Sequence, residues 1–272
     1  MNKLPTGILV FDIDGVINDK HTTEIKESIL QKIDELCKKG YKVYFNTGRS
    51  MSYCVEMLFP KLQNYPNILA HKPFAMCEKG VVKVRYENGE IQHQVLEQYS
   101  VVKYADELLK DLDVEFETFF RDTSKVSMIT FEKKLGVDLD KFDIEIDHFT
   151  KLIQRNLNSF NLQNILTIEK TVIALDIQHK FSGKDLGAVE IVKEVESYLA
   201  KSDRENVSVF TFGDSPSDAA MAVHFASQNF VTTHVDVGAK AGDRESSDYK
   251  TIIFKNTFEN GTEEFLELLI LG

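Results

Sequence analysis

The segment Gly7-Ile-Leu-Val-Phe11 is apolar without interruption after its glycine, and Asp12 follows it at once, with Asp14 two residues on. A strand with one wet face alternates apolar and polar side chains, whereas an unbroken run marks a strand covered on both faces, as in a parallel sheet flanked by helices. Acids placed directly after such a strand stand at the carboxyl edge of the sheet, where open α/β sheets bind their ligands.

The next residues extend the same pattern. Ile25, Ile29, Ile33 and Leu36 recur at helical spacing, and Lys38-Lys39-Gly40 closes the segment with cations and a C-terminal glycine. Tyr41 to Phe45 reads as a second strand, which completes a βαβ unit. A helix is expected over about 50–59.

From Val81 the character changes. Val81 to Tyr86 and Glu90 to Val95 flank Asn88-Gly89, a strong hairpin signal. Strand-like pieces follow at Val114 to Phe120, Val126 to Phe131, Ile165 to Glu169 and Val172 to Ile177, with helical patterns at Val101 to Leu112 and Phe149 to Leu157. The βα rhythm resumes with a helix over Gly183 to Leu199, a strand at Val207 to Phe212, a helix at Ser217 to Ala226, a strand at Thr251 to Phe254 and a helix at Glu259 to Leu271. The expected fold is therefore α/β, a Rossmann-like parallel-sheet core with helices on both faces. Residues 1–80 and 181–272 form the core, and an α+β domain of residues 81–180 is inserted into it.

Charge narrows the partners. With 43 Asp plus Glu against 32 Lys plus Arg, the chain carries a formal net charge of −11, which disfavours nucleic acid and anionic membranes. Cys37, Cys54 and Cys77 stand singly, so they give neither a zinc knuckle nor a disulfide framework, and a reducing compartment is expected. No run approaches the roughly 18 to 20 apolar residues of a membrane span, and Asp12 interrupts the first apolar stretch too early for a signal peptide. The cytoplasm is the expected location.

The residues after the predicted core strands are Asp12-Ile-Asp14-Gly15, Asn46-Thr47-Gly48-Arg49 and Gly213-Asp214-Ser215-Pro216-Ser217-Asp218. Four carboxylates gathered at one sheet edge repel one another unless a cation joins them or one takes up a proton. Oxygen donors with no His or Cys among them favour Mg²⁺ over zinc. Beside such a cation a carboxylate can attack phosphorus while a lysine neutralises the phosphoryl oxygens, and a second carboxylate can protonate the leaving oxygen. Gly15 and Gly48 would let backbone amides approach phosphate closely.

These motifs resemble those of the haloacid dehalogenase (HAD) superfamily phosphatases. The first stands as Ile8-Leu-Val-Phe-Asp12-Ile-Asp14-Gly15-Val16-Ile17, the second as Thr47 in Asn-Thr-Gly-Arg, the third as Lys184 in Phe181-Ser-Gly-Lys-Asp-Leu-Gly-Ala188, and the fourth as Gly213-Asp214-Ser-Pro-Ser-Asp218. The resemblance implies Asp12 as nucleophile, Asp14 as general acid and base and as a backbone metal ligand, and Thr47 and Lys184 as holders of the phosphoryl group. It implies Asp214 and Asp218 around Mg²⁺, directly or, for Asp218, through an intervening contact. Gly15, Gly48 and Arg49 are its expected phosphate-side neighbours. The long stretch between Thr47 and Lys184 resembles the Cof-type (class IIB) cap, whose bearers mostly hydrolyse sugar phosphates and related small phosphomonoesters. The expected partner is thus a small phosphorylated metabolite.

Two departures from the pattern matter: Ser217 replaces the usual Asn of the fourth motif, and the residues after Lys184 leave Lys180 as a rival third-motif lysine. A phosphomutase that passes the group to a sugar, or a receiver-like module that takes it up once, are the alternatives. Asp138, Asp140, Asp143, Glu145 and Asp147 resemble a calcium loop, but Phe142 at its fifth position and the lack of a glycine at its sixth favour a solvated acidic face. Arg121, Lys125, Lys133, Lys134 and Arg155 are candidate cations of the inserted domain for an anionic or polyol substrate, solvent being their commoner setting.

Overall fold

The computed structural model describes residues 4–87, 89–112, 116–239 and 247–272. In chain order the elements are β1 (Gly7–Phe11), α1 (Glu27–Lys38), β2 (Tyr41–Asn46), the short helices α2 (Met51–Tyr53), α3 (Phe59–Leu62) and α4 (Pro66–Ala70), β3 (Phe74–Cys77), β4 (Val82–Glu87) and β5 (Glu90–Val95). There follow α5 (Ala105–Leu108), β6 (Phe119–Asp122), β7 (Ile129–Lys133), α6 (Leu139–Ser159), β8 (Leu166–Lys170) and β9 (Ala174–His179). The chain closes with α7 (Lys184–Glu196), β10 (Ser208–Gly213), α8 (Ala219–Ser227), β11 (Val231–Asp236), β12 (Lys250–Ile253) and α9 (Glu259–Leu271). Two compact units result, one of Met1–Arg49, Tyr53–Gln94 and Gly183–Gly272, the other of Ser50–Ser52 and Val95–Ser182.

The first unit is built on a sheet of order β12-β11-β10-β1-β2-β3-β4-β5. β1 is buried at every residue and pairs in parallel with both β2 and β10, as its unbroken apolar run requires. Ile8 and Val10 point to one face, where Ile191, Val192 and Val195 of α7 and Met221 and Phe225 of α8 cover them. Each such large side chain, fully withdrawn from water, contributes roughly 1.5–3 kcal/mol. α1 buries Ile29, Leu30, Ile33, Leu36 and Cys37 along one stripe and ends where Gly40 takes φ +98°.

The second unit holds an antiparallel sheet of order β6-β7-β9-β8. α6 buries Phe142, Ile146, Phe149, Ile153 and Leu157, and these share one core with Phe119, Phe131, Leu175 and Ile177 of the sheet. The Asp138 carboxylate caps α6 by accepting from the Asp140 and Lys141 amides. Asp143 and Asp147 farther along the helix pair with Lys170, so the acidic run is a helix face and its cap.

Several elements depart from the sequence expectation. The hairpin of β4 and β5, read as the start of the insertion, instead continues the large sheet, because β4 pairs antiparallel with β3. Asn88 of its turn lies outside the described residues, as do residues 114 and 115 of the strand expected at Val114 to Phe120; the observed strand is Phe119–Asp122. The helix expected over Val101 to Leu112 shrinks to a single turn at Val102–Tyr104 and the short α5. The one expected at Phe149 to Leu157 begins ten residues earlier, at Leu139. β3 and β11 carried no expectation. No helix among the described residues is long and apolar enough to cross a membrane.

Candidate active site

Strand order reverses between β1 and β10, since the chain adds β2 and β3 on one side of β1 and β10, β11 and β12 on the other. A crevice opens at such a reversal, at the carboxyl ends of the two strands. Asp12 lies there. Its amide donates to the Phe212 carbonyl at 3.0 Å, which carries the ladder one residue beyond β1. The chain then turns: the amides of Val16, Ile17 and Asn18 converge on the Ile13 carbonyl, Gly15 takes φ +66°, and its amide donates to Asn18 Oδ1 at 2.7 Å. A Cβ on Gly15 would lie 2.7 Å from Asp214 Oδ2, so this turn packs against the end of β10 only as glycine.

Asp12, Asp214 and Asp218 form one group, each offering a carboxylate oxygen within 4.8 Å of the others. Lys184, at the first position of α7, places its ammonium 2.6 Å from Asp12 Oδ1 and 2.9 Å from Asp218 Oδ1. The same ammonium donates to the Asn46 carbonyl at 2.6 Å. Asp218 is wholly buried, and its other oxygen accepts from the Ser215 amide at 3.0 Å and the Ser215 hydroxyl at 2.7 Å. Ser215 thereby forms a capping box with Asp218. Ser217, in the place of the usual Asn, bonds the Ser215 hydroxyl at 2.8 Å.

The charges are unevenly compensated. Burial pushes the Asp12 carboxyl up to about 8, against the pull of Lys184 and with the help of Asp218 and Asp14. Asp214 is pushed up to about 6, by burial first and by Asp218 next. Asp218 moves down, because Lys184 and the Ser215 hydrogen bonds outweigh its burial. Burial opposes the Lys184 ammonium, yet Asp12 and Asp218 more than restore it and raise its pKa. These are the traits of a carboxylate group short of positive charge.

Asp14 stands apart from that group. Arg49 grips its carboxylate with three contacts, Nε at 2.8 and 3.0 Å and Nη2 at 2.6 Å, and Asn18 Nδ2 donates to it at 3.1 Å. Thr47 is buried at the end of β2, tied by its amide to the Met76 carbonyl at 2.8 Å, and its hydroxyl accepts from the Arg49 amide at 3.1 Å. Glu78 N to Arg49 O at 2.9 Å and Lys79 N to Thr47 O at 3.1 Å fasten the same loop from β3's far end. Gly48 is open: a Cβ there would meet nothing nearer than Lys79 Cγ at 4.0 Å.

The family model of haloacid dehalogenase-like hydrolases matches residues 9–226. The chain belongs to that family. The matched span of this haloacid dehalogenase-like hydrolase takes in Asp12, Thr47, Lys184, Asp214 and Asp218. Solved structures share its fold at low identity. Protein 0175 of Thermoplasma acidophilum matches with TM-score 0.62 and 14% identity over 99% of this chain and 100% of that one. A haloacid dehalogenase-like hydrolase from Bacteroides thetaiotaomicron matches with TM-score 0.60 and 15% identity over 97% and 99%. Trehalose-6-phosphate phosphatase of Aspergillus fumigatus matches with TM-score 0.57 and 15% identity over 98% and 93%. No curated protein matches the sequence significantly.

Lys184 is the lysine in contact with Asp12 in this hydrolase, whereas the Lys180 amide donates to Ile165 within the second unit. Sequence reasoning passed over Asn18 and placed Asn46 at the strand end without a role, although both belong to the site. Asn18 follows the first motif directly, and Asn46 opens the second; a short amide beside a glycine-bearing turn is the one signal either gives.

Proposed function

We propose that this hydrolase cleaves small phosphomonoesters with Mg²⁺ as cofactor, through an aspartyl-phosphate on Asp12. The reading rests above all on one observation, the Lys184 ammonium lodged between Asp12 and Asp218 with Asp214 beside them. The donor set fits Mg²⁺: it is all oxygen, it contains carboxylates whose pKa values are raised by burial first and by their acidic neighbours after it, and it lies open on one side where Asp214 is part-exposed. Asp12, Asp214 and Asp218 would hold the ion, with the Asp14 carbonyl as a further donor. When bound it supplies positive charge to the phosphoryl oxygens.

The chain's own groups carry the remaining steps. Asp12 attacks phosphorus, while Lys184 and Thr47 draw charge off the phosphoryl oxygens. Asp14, held as a carboxylate by the Arg49 fork until substrate arrives, takes up the proton of the phosphomonoester monoanion, passes it to the leaving oxygen and then takes one from the water that hydrolyses the acyl phosphate. The second unit, with its separate antiparallel sheet, acts as a Cof-type cap and sets the choice of substrate, which we take to be a sugar phosphate or a related metabolite of the cytoplasm.

Phosphate release over a panel of sugar phosphates, phosphoglycerates and nucleotides, with MgCl₂ or EDTA, tests the reading. Release that needs Mg²⁺ and falls at least about a thousandfold in Asp12→Asn is the expected result. Turnover by Asp12→Asn at the wild-type rate would refute it, and uptake of phosphate once per chain without release would favour a receiver-like module.

A further inference from the structure

Lys184 sits in the first turn of α7, where the helix dipole repels a cation. Two carboxylates draw its ammonium toward the cleft, but they do not fix the backbone from which it extends. Asn46 does so. Its side-chain Nδ2 donates to the Lys184 carbonyl at 2.8 Å, while its own carbonyl accepts from Lys184 Nζ at 2.6 Å. The two residues thus hold each other by main chain and side chain at once, and Asn46 is completely buried.

α7 is shaped to receive this amide. Gly187 stands one turn from Lys184, and a Cβ there would lie 2.2 Å from Asn46 Oδ1 and 2.5 Å from Nδ2. Any other residue at 187 would push the amide off the helix. Asn46 Oδ1 is buried and accepts no hydrogen bond. An unmade bond of this kind costs about 1–3 kcal/mol, a penalty an apolar residue at 46 would avoid. A side chain kept for packing alone gains nothing from that penalty, whereas one kept for the bond from Nδ2 to the Lys184 carbonyl does.

We infer that Asn46 is the positioning residue for Lys184, setting where its ammonium stands between Asp12 and Asp218; the inference rests on the phosphatase reading above. Asn46 acts through the lysine and needs no contact of its own with substrate. A misplacement of about 1 Å at a catalytic group costs on the order of a hundredfold in rate. Loss of the clamp therefore lowers kcat while leaving KM nearly unchanged.

A double-mutant cycle on the full chain with p-nitrophenyl phosphate and MgCl₂ tests this. In the wild-type background Asn46→Ala is expected to lower kcat by about 10- to 100-fold with KM altered less than about threefold. In the Lys184→Ala background the same change is expected to lower kcat by less than about twofold, because the group it positions is gone. Asn46→Ser, which keeps a donor in less space, serves if Asn46→Ala does not fold and is held to the same two-background comparison. An equal loss in both backgrounds, or no loss in the wild-type one, would overturn the inference. Full turnover by Lys184→Ala would overturn the reading of the site itself, and the inference with it.

Discussion

Lys184→Met removes one positive charge from the acidic group while keeping most of the buried stem. Lys184 is 9% exposed, Asp12 8% and Asp218 0%, so the two carboxylates lose their shared counter-ion in a place water scarcely reaches. Breaking a buried pair by deleting one partner costs about 3–5 kcal/mol. For a chain of this size that lowers the melting temperature by roughly 10 °C. The loss depends on pH in a definite direction. The folded-state pKa of Asp12 already lies at about 8, above its ordinary value of 3.8, so ionising this carboxyl opposes folding as pH rises through that window. Without the ammonium its pKa rises further. The gap between wild type and variant is therefore smaller at pH 5.5, where Asp12 is protonated in both and Asp218 alone loses its counter-ion, than at pH 8.5, where the loss falls on Asp12 as well. Thermal melts by circular dichroism in EDTA at the two pH values measure it, and MgCl₂ should raise the variant's melting temperature more than the wild type's by supplying the missing charge. A gap under about 1 kcal/mol at pH 8.5, or one that shrinks as pH rises, would refute the buried-pair reasoning.

Three further outcomes follow from single positions. Gly15→Ala forces a side chain into φ +66° and sets its Cβ 2.7 Å from Asp214 Oδ2; a stability loss of about 1–2 kcal/mol and a higher Mg²⁺ requirement in phosphate-release titrations are expected. Arg49→Lys trades a fork for a point charge, so Asp14 loses its orientation and kcat should fall about tenfold. Stability should change by less than about 1 kcal/mol, since that pair is part-exposed at 37% and 44%. His71 accepts from Lys42 at Nδ1 (3.1 Å) and donates from Nε2 to the Cys37 carbonyl (3.0 Å), an arrangement open to the neutral ring alone. Burial first, and Lys42 after it, hold its pKa below the ordinary 6.5. Stability should accordingly fall as pH drops below 6.5, and melts of His71→Gln should show a shallower decline over the same range.

Legibility in the sequence followed the range of the contacts. β1 was readable because burial on both faces leaves a purely apolar string, and α9 because Phe265, Leu266, Leu269 and Ile270 recur at helical spacing in its second half. The hairpin of β4 and β5 was readable as a hairpin but not as part of the large sheet. Alternation fixes that two strands pair, while the sheet they join is decided by β3, a four-residue strand whose Phe74–Cys77 run is too short to stand out. The first half of α6 was hidden because Asp140, Asp143, Glu145 and Asp147 dominate its composition, although Phe142 and Ile146 already mark its buried stripe.

The site shows the same limit more sharply. Asp12, Thr47, Lys184, Asp214 and Asp218 could each be picked out by their place after a strand or before a helix, yet nothing local tells how many charges one cleft must balance. Topology supplies that. Because the strand order reverses at β1 and β10, Asp12 and Asp214 end on adjacent strands, and α7, which follows the second unit in the chain, brings Lys184 to them. Three carboxylates and one ammonium then share the crevice. Fully ionised, they leave two negative charges uncancelled; burial first, and the neighbouring carboxylates after it, make Asp12 and Asp214 hold their protons too tightly, while Asp218, bonded by Ser215 as well as by the lysine, does not. A single divalent cation on the open side cancels that remainder, whereas a second lysine would cancel only half of it. The arithmetic of the cleft, more than the acidity of the chain as a whole, is what supports magnesium.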